Sequence, residues 1–396
     1  MNRGLAMERF FTSLMGSMPR SAELMRARRL VSAGRMEQAA YDELVERQTA
    51  EVIAFQESLG LDVIVSGELG RDNYVSFISD KLGGVTQMSM AEMMDYIEDK
   101  QAFDEMLDIL DVPAVSIRNA ICTGSLAYRE GIALDELRMM KRCTTRPVKV
   151  TLPGPYLVTR SMWLPGVSTR GYATKEDLGE AVLDVYRQEV EALQAAGADI
   201  IQFDEPVLTE VVFTEGKTRT FMCAALSQRK DPTEELEFAG HLIERAVGFV
   251  DPARSMSCVH VCRGNWSRNE EILLTGPYTP LIDLFARARP QMLALEFSTP
   301  RAGELSAFLA DPRIQGRFAL GLGVMNPRAD ETEPVEGMVA AGRMAAEALG
   351  AGRVALNPDC GFATFSSRPV NAYPAIERKV GNMVRAAALL REEFCG

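Results

Sequence analysis

The run Cys258-Val259-His260-Val261-Cys262 sets sulfur and imidazole at alternate positions. On a β-strand, residues two apart share a face, so both thiols and the ring point one way and the valines the other. Only two histidines, His241 and His260, occur in the 396 residues, so any chemistry that needs imidazole must use one of them. Glu296 closes a second apolar run, and Cys360 sits in the turn Asn357-Pro358-Asp359-Cys360-Gly361 just past a third. Nitrogen, sulfur and oxygen donors of these types are what a tetrahedral Zn²⁺ accepts, at roughly 2.0 to 2.3 Å. The expected ligand set is His260, Cys262, Glu296 and Cys360. Cys258 competes for the same face but should lie deeper, as a buried thiol without a metal. Cys122, Cys143, Cys223 and Cys395 are read as incidental, and seven irregularly spaced cysteines argue against a disulfide framework.

Positioning such residues takes a scaffold whose strands all end on one side. Short apolar runs alternate with long stretches of helical periodicity, the rhythm of a parallel sheet with crossover helices. The runs are Thr12 to Ser17, Leu61 to Glu68, Val148 to Gly154, Ala198 to Asp204, Ser257 to Cys262, Met292 to Phe297, Phe318 to Val324 and Val354 to Asn357. Helical patterns include Lys175 to Ala196, Glu234 to Phe249, Val335 to Leu349 and Ala375 to Glu393. Eight β/α units predict an α/β fold of the TIM (β/α)8 barrel type, in which functional side chains gather at the C-terminal ends of the strands. Ser17, Glu68, Asp204, His260, Cys262, Glu296 and Cys360 all fall at or just beyond such ends. An open doubly wound sheet would share the alternation, but no run is followed by a complete G-x-G-x-x-G turn; Gly321-Leu322-Gly323 comes nearest.

Between the second and third units lies an insertion, about residues 75–146, expected to hold a hairpin of Val112 to Ile117 with Ile121 to Leu126. Its Met-rich stretch (Met88, Met90, Met93, Met94) is read as helix core packing. No linker or repeat is visible, so residues 1–396 are taken as one elaborated domain. Lys and Arg total 43 and Asp and Glu 55, a formal charge of −12 without a dense basic block, which speaks against nucleic acid as the partner. No apolar stretch reaches the ~18 residues a membrane helix needs, and no secretory h-region opens the chain, so a cytoplasmic location is expected. No Walker-type loop occurs.

Taken together, Met15-Gly16-Ser17-Met18-Pro19, Gly67-Glu68, Gly154-Pro155, Ile201-Gln202-Phe203-Asp204-Glu205-Pro206, His260-Val261-Cys262, Leu295-Glu296 and Asn357-Pro358-Asp359-Cys360-Gly361 resemble, in order, the catalytic C-terminal barrel of cobalamin-independent methionine synthases. The shorter single-barrel members are the nearer likeness. The resemblance implies zinc on the same four residues reached from donor chemistry. It implies that Met15, Ser17, Glu68 and Asp204 hold the amino-acid end of homocysteine, with Glu68 and Asp204 the catalytic acids, and that Glu210 faces a folate methyl donor. Zinc would present the substrate thiol as thiolate, the nucleophilic form. Two thiolates and a carboxylate around Zn²⁺ leave −1, and exchanging Glu296 for a substrate thiolate keeps −1, so Glu296 is expected to be a displaceable fourth ligand.

Two features depart from the family pattern. The long synthases carry a histidine after the seventh strand that protonates the folate leaving group, and here Gly321 to Arg328 contains none. Asp330, Glu331 and Glu333 are the nearby acids. The folate-stacking tryptophan is also offset, with Trp163 two residues beyond its expected place. The expected activity is methylation of homocysteine, from methyltetrahydrofolate or a methylcorrinoid protein. The alternatives are an epoxide-opening thiol transferase similar to epoxyalkane:coenzyme M transferase, or a barrel that binds a methyl carrier without catalysis. Two carboxylates favour an aminothiol over the sulfonate of coenzyme M, although Arg20, Arg71 and Arg118 could supply an anion site.

Overall fold

The computed structural model describes residues 7–73, 75–96, 118–213, 231–265, 267–366 and 368–395. Six parallel strands form its centre in sequence order: β3 (Lys149–Pro153), β4 (Ile200–Asp204), β5 (Met256–Val261), β6 (Met292–Glu296), β7 (Ala319–Met325) and β8 (Val354–Pro358). They are preceded in the chain by β1 (Leu82–Ser89) and β2 (Arg118–Tyr128), which pair with each other. The central strands are buried almost throughout, because helices cover one face and the barrel interior the other. The runs around residues 12–17 and 61–68 contribute single parallel bridges instead of ladders. Thr12 pairs with Leu356 of β8, Ser13 with Val63, and Ile64 with Val148 beside β3, so pairing passes from one edge of the six-stranded sheet to the other. This is the eightfold β/α arrangement expected from the alternating pattern.

The crossover helices start where the sequence places caps. Thr174 accepts from the Asp177 amide and Asp177 returns the bond, a capping box that opens Lys175–Ala195. Asp231 caps Pro232–Gly248, with proline in the first turn where its missing N–H costs nothing. Leu178, Val182, Tyr186, Val190 and Leu193 recur every three to four residues and form the buried stripe of the first of these helices.

The insertion carries an antiparallel pair of strands. The antiparallel partner of β2 is β1, upstream, with Val85 opposite Cys122 and Met88 opposite Asn119. The proposed arm Val112 to Ile117 lies outside the described residues, while Ile121 to Leu126 does belong to a strand. Among the described residues the partner of β2 is separated from it by 28 residues (90–117). Of the methionines, Met88 lies on β1, Met93 is fully buried in a four-residue helical turn, and Met94 is half-buried.

Gly154-Pro155 shows how closely backbone and acid approach. Pro155–Met162 is helical, and the buried Glu205 carboxylate accepts from the amides of Tyr156 (2.8 Å) and Leu157 (3.0 Å) at its N-terminus, where negative charge is favoured. Burial nevertheless pushes the Glu205 carboxyl up to about 8. A Cβ on Gly154 would lie 2.1 Å from the Glu205 carboxyl carbon. Gly154→Ala should therefore displace Glu205 and strand both amides, lowering stability by about 2 to 4 kcal/mol in urea unfolding; unchanged stability would contradict this account.

Candidate metal and thiol site

At the C-terminal ends of β5 and β8, the ligand atoms of His260, Cys262 and Cys360 all lie within 4.8 Å of one another. His260 is on β5, Cys262 one residue past its end, and Cys360 two past the end of β8. The Nδ1 of His260 faces the Ala294 carbonyl at 3.1 Å, which fixes the ring and leaves Nε2 buried without a hydrogen-bond partner. An orphaned imidazole nitrogen beside two thiols is the donor set that zinc takes. Burial would lower the His260 pKa, but Cys262 and the Asp204 carboxylate outweigh it and raise it to about 9. The Cys262 thiol is held well below the ordinary thiol range, first by Cys360 beside it and then by His260.

Cys360 is delivered by Asp359, which is fully buried. Its carboxylate accepts from the amides of Phe297 (3.2 Å) and Ser298 (3.1 Å) and from the Ser298 hydroxyl. Gly323 of β7 makes room, since a Cβ there would meet Asp359 Oδ1 at 2.3 Å. Glu296 is not in the close group. Cys258 lies lower in the barrel against Ile200, Met292 and Ala294, its thiol pushed up to about 12 by burial. Cys122 is a buried free thiol and Cys143 a half-buried one; Cys223 falls outside the described residues.

Across the mouth stand the carboxylates. Glu68 accepts from the Thr151 hydroxyl at 2.6 Å and lies 3.4 Å from Arg71. Its backbone is left-handed (φ 57), uncommon for a residue with a Cβ and typical of a side chain whose direction is imposed by the site. Asp204, ending β4, accepts from Gln202 Nε2 at 2.8 Å, and the same amide donates to the Met15 carbonyl at 3.1 Å. Burial raises Asp204 to about 7, against the pull of His260 and with the help of Glu68. The Ser17 hydroxyl accepts from the Ala363 amide (3.3 Å), which ties the first segment to the Cys360 turn. Glu210 is buried in an ion pair with Arg160 at 2.6 Å. Arg71 forks onto Glu136, Arg20 donates to the carbonyls of Ala363, Glu68 and Arg71, and Arg118 is exposed on β2. Trp163 is half-buried and packs against the core.

Three groups escaped the sequence reading: Asp359, the arginines around Glu296, and Lys149. Asp359 and Arg263 adjoin proposed ligands, so adjacency was the available signal. Lys149 opens β3 and is buried; desolvation lowers it to about 8, partly countered by Cys258, Asp204 and Glu68. A single lysine in an apolar run gave no hint that it points into the barrel.

This geometry defines a class: a (β/α)8 barrel with a sulfur and imidazole centre and facing carboxylates at the strand ends. Residues 10–389 match the cobalamin-independent synthase catalytic domain, and the chain belongs to that family. It is 26% identical over 382 residues to a 5-methyltetrahydropteroyltriglutamate–homocysteine methyltransferase of Chelativorans sp. (strain BNC1), covering 96% of this chain and 42% of that protein. It is likewise 26% identical over 387 residues to a methionine synthase of Thermococcus kodakarensis, covering 97% of this chain and 94% of that protein. The chain thus spans about two-fifths of the longer relatives it matches (42 to 44%). The structure of a B12-independent methionine synthase from Shewanella sp. W3-18-1, in complex with selenomethionine, superposes with a TM-score of 0.72 at 18% identity, covering 98% and 99% of the two chains. That likeness speaks for the fold. Among the described residues, no helix is long and apolar enough to cross a membrane.

The buried ammonium has a stability signature. Lys149 titrates near 8 when folded and at the ordinary 10.5 when unfolded. Between those values the unfolded chain holds the proton that the folded one has released, so this group makes stability rise with pH across the window and fall as pH drops through it. Lys149→Met should remove that rise, up to about 3 kcal/mol, from urea midpoints compared at about pH 8 and about pH 10. Parallel pH profiles for the two proteins would exclude it.

Proposed function

We propose that the chain is a zinc-dependent thiol methyltransferase that converts homocysteine to methionine. The observation that carries the reading is the buried, unpartnered His260 Nε2 grouped with the Cys262 and Cys360 thiols. Zinc bound there would supply Lewis acidity that lowers the pKa of a substrate thiol, so that it reacts as thiolate at neutral pH. The chain's own residues do the rest. Glu68 and Asp204 receive the homocysteine ammonium, and the buried Lys149 below them offsets their mutual repulsion. Met15 and Ser17 line the same mouth from the first segment and flank the amino-acid end. The hydrogen bond from Gln202 to Met15 and Asp204 holds two of these groups at a fixed separation, which supports orientation of the sulfur before attack.

The names of the relatives favour a methyltetrahydropteroyl triglutamate as donor. In that reaction the N5–methyl bond breaks as the sulfur–methyl bond forms, and N5 must receive a proton. Of the three acids near the seventh strand, Asp330 is engaged by Arg268 at 2.6 Å, and Glu333 by Lys379 at 2.9 Å and the Asn326 amide at 2.8 Å. Glu331, exposed on a pocket of about 330 Å³ shared with Arg268, Glu270 and Arg328, is the remaining candidate. Glu210, locked to Arg160, would act toward a donor by fixing that arginine.

Freshly purified protein should contain one zinc per chain. Cys262→Ser or Cys360→Ser should lose it, together with at least ~100-fold of thiol methylation, while circular dichroism stays that of the parent. Metal-free active protein, or wild-type turnover in either variant, would refute the assignment. In calorimetry the zinc-loaded protein should bind homocysteine and not coenzyme M; the reverse preference would favour an epoxide-opening thiol transferase.

A further inference from the structure

The two thiols of the candidate metal group sit on segments that strand pairing does not hold together. In the sheet order β5 and β8 are separated by β6 and β7, so no ladder sets the distance from Cys262, just past β5, to Cys360, just past β8. A side chain spans this gap. Asn265, three residues after Cys262 and 4% exposed, donates from Nδ2 to the Gly361 carbonyl at 2.7 Å and to the Thr364 hydroxyl oxygen at 2.8 Å. Gly361 follows Cys360 directly. Arg328, from the segment after β7, donates from Nη1 to Asn265 Oδ1 at 3.2 Å and so fixes which way the amide faces.

Both amide hydrogens of Asn265 are spent on the Cys360 turn, which leaves the side chain no donor for a ligand. The bond to Gly361 is buried, where an amide without its acceptor is costly, so it holds the two segments firmly. Other contacts fix the neighbouring pieces. Asp359 accepts from the Phe297 and Ser298 amides next to Glu296, and the Arg263 amide, one residue past Cys262, donates to Glu296 Oε2 at 3.1 Å. The Phe362 amide donates to the Ser17 carbonyl at 2.9 Å, and a Cβ on Gly361 would lie 2.2 Å from the Ser17 hydroxyl oxygen, so the turn has no room to shift toward the first segment. Asn265 adds the tie between the Cys262 loop and the Cys360 turn. The hydrogen bond between the two sulfurs cannot take its place, since both give up their protons when they bind a metal. We infer that Asn265 is a positioning residue of the metal centre: by clasping the Cys360 turn to the Cys262 loop, it sets the separation of the two thiolates before the metal arrives. The inference rests on the zinc reading above and extends it to a residue that touches neither metal nor substrate.

The test reads the metal, on the zinc-loaded protein and on its cobalt(II)-substituted form. Asn265→Ala should weaken zinc at least about tenfold in chelator competition and dim the thiolate-to-cobalt charge-transfer band, as one sulfur moves off the ion. Asn265→Asp keeps the size of the side chain but turns the donor into an acceptor facing the Gly361 carbonyl, and Arg328 beside it keeps the carboxylate ionised. It should show the same loss, and it is the decisive variant if Asn265→Ala lowers the Tm. Gln194→Ala is the matched control. Its buried side-chain amide donates to the Asp251 carbonyl at 3.0 Å ahead of β5, at the barrel end opposite the thiols. Its removal should cost stability while zinc affinity stays within about threefold and the cobalt bands stay in place. Zinc affinity within about threefold of the parent in both Asn265 variants, or an equal loss in Gln194→Ala, would overturn the positioning role and leave the zinc reading intact. A parent protein that binds no stoichiometric zinc would overturn both.

Discussion

Parallel strands that start together must also end together, and the chemistry of this protein depends on that constraint. Asp204 is in register with His260, His260 with Ala294 and Glu296 with Gly323, so side chains far apart in sequence arrive at one height on one face. The two-residue alternation within each strand then decides which of them look inward. Cys258 and His260 obey it equally. One lies among apolar side chains and the other at the rim, which is why one thiol is inert packing and its neighbours form a donor group.

The barrel interior is consequently rich in charge where an ordinary core would be apolar. Lys149, Asp204, Glu68, Glu296 and Arg263 occupy positions that burial penalises, and the structure offsets this by pairing opposite signs and by recruiting backbone amides. Glu205 and Asp359 serve the same economy one layer out: each spends its carboxylate on neighbouring amides, and each orients a segment of the mouth. Such arrangements are poor for stability and leave the strand ends with a preorganised polar mouth.

Glu296 is a residue where donor chemistry and electrostatics meet. A carboxylate at the end of a strand beside a cysteine suits zinc by its donor type. Arginines from three separate loops also lie within 3.7 Å of it, and of these Arg263 adjoins a predicted ligand in sequence.

The sequence by itself determined the fold class and the strands that end at the site, because apolar runs, caps and helical periodicity are local properties. It also determined that His260, Cys262 and Cys360 would be candidates, since alternation on β5 and a turn after β8 are written in a few residues each. Tertiary structure decided the rest. It chose β1 as the partner of β2, turned Lys149 into the barrel, and consumed Arg20, Arg71 and Glu210 in buried polar contacts. The reason is physical: pairing and charge compensation depend on which groups share a low-dielectric space, and residues from distant segments share it only once the barrel has closed around them.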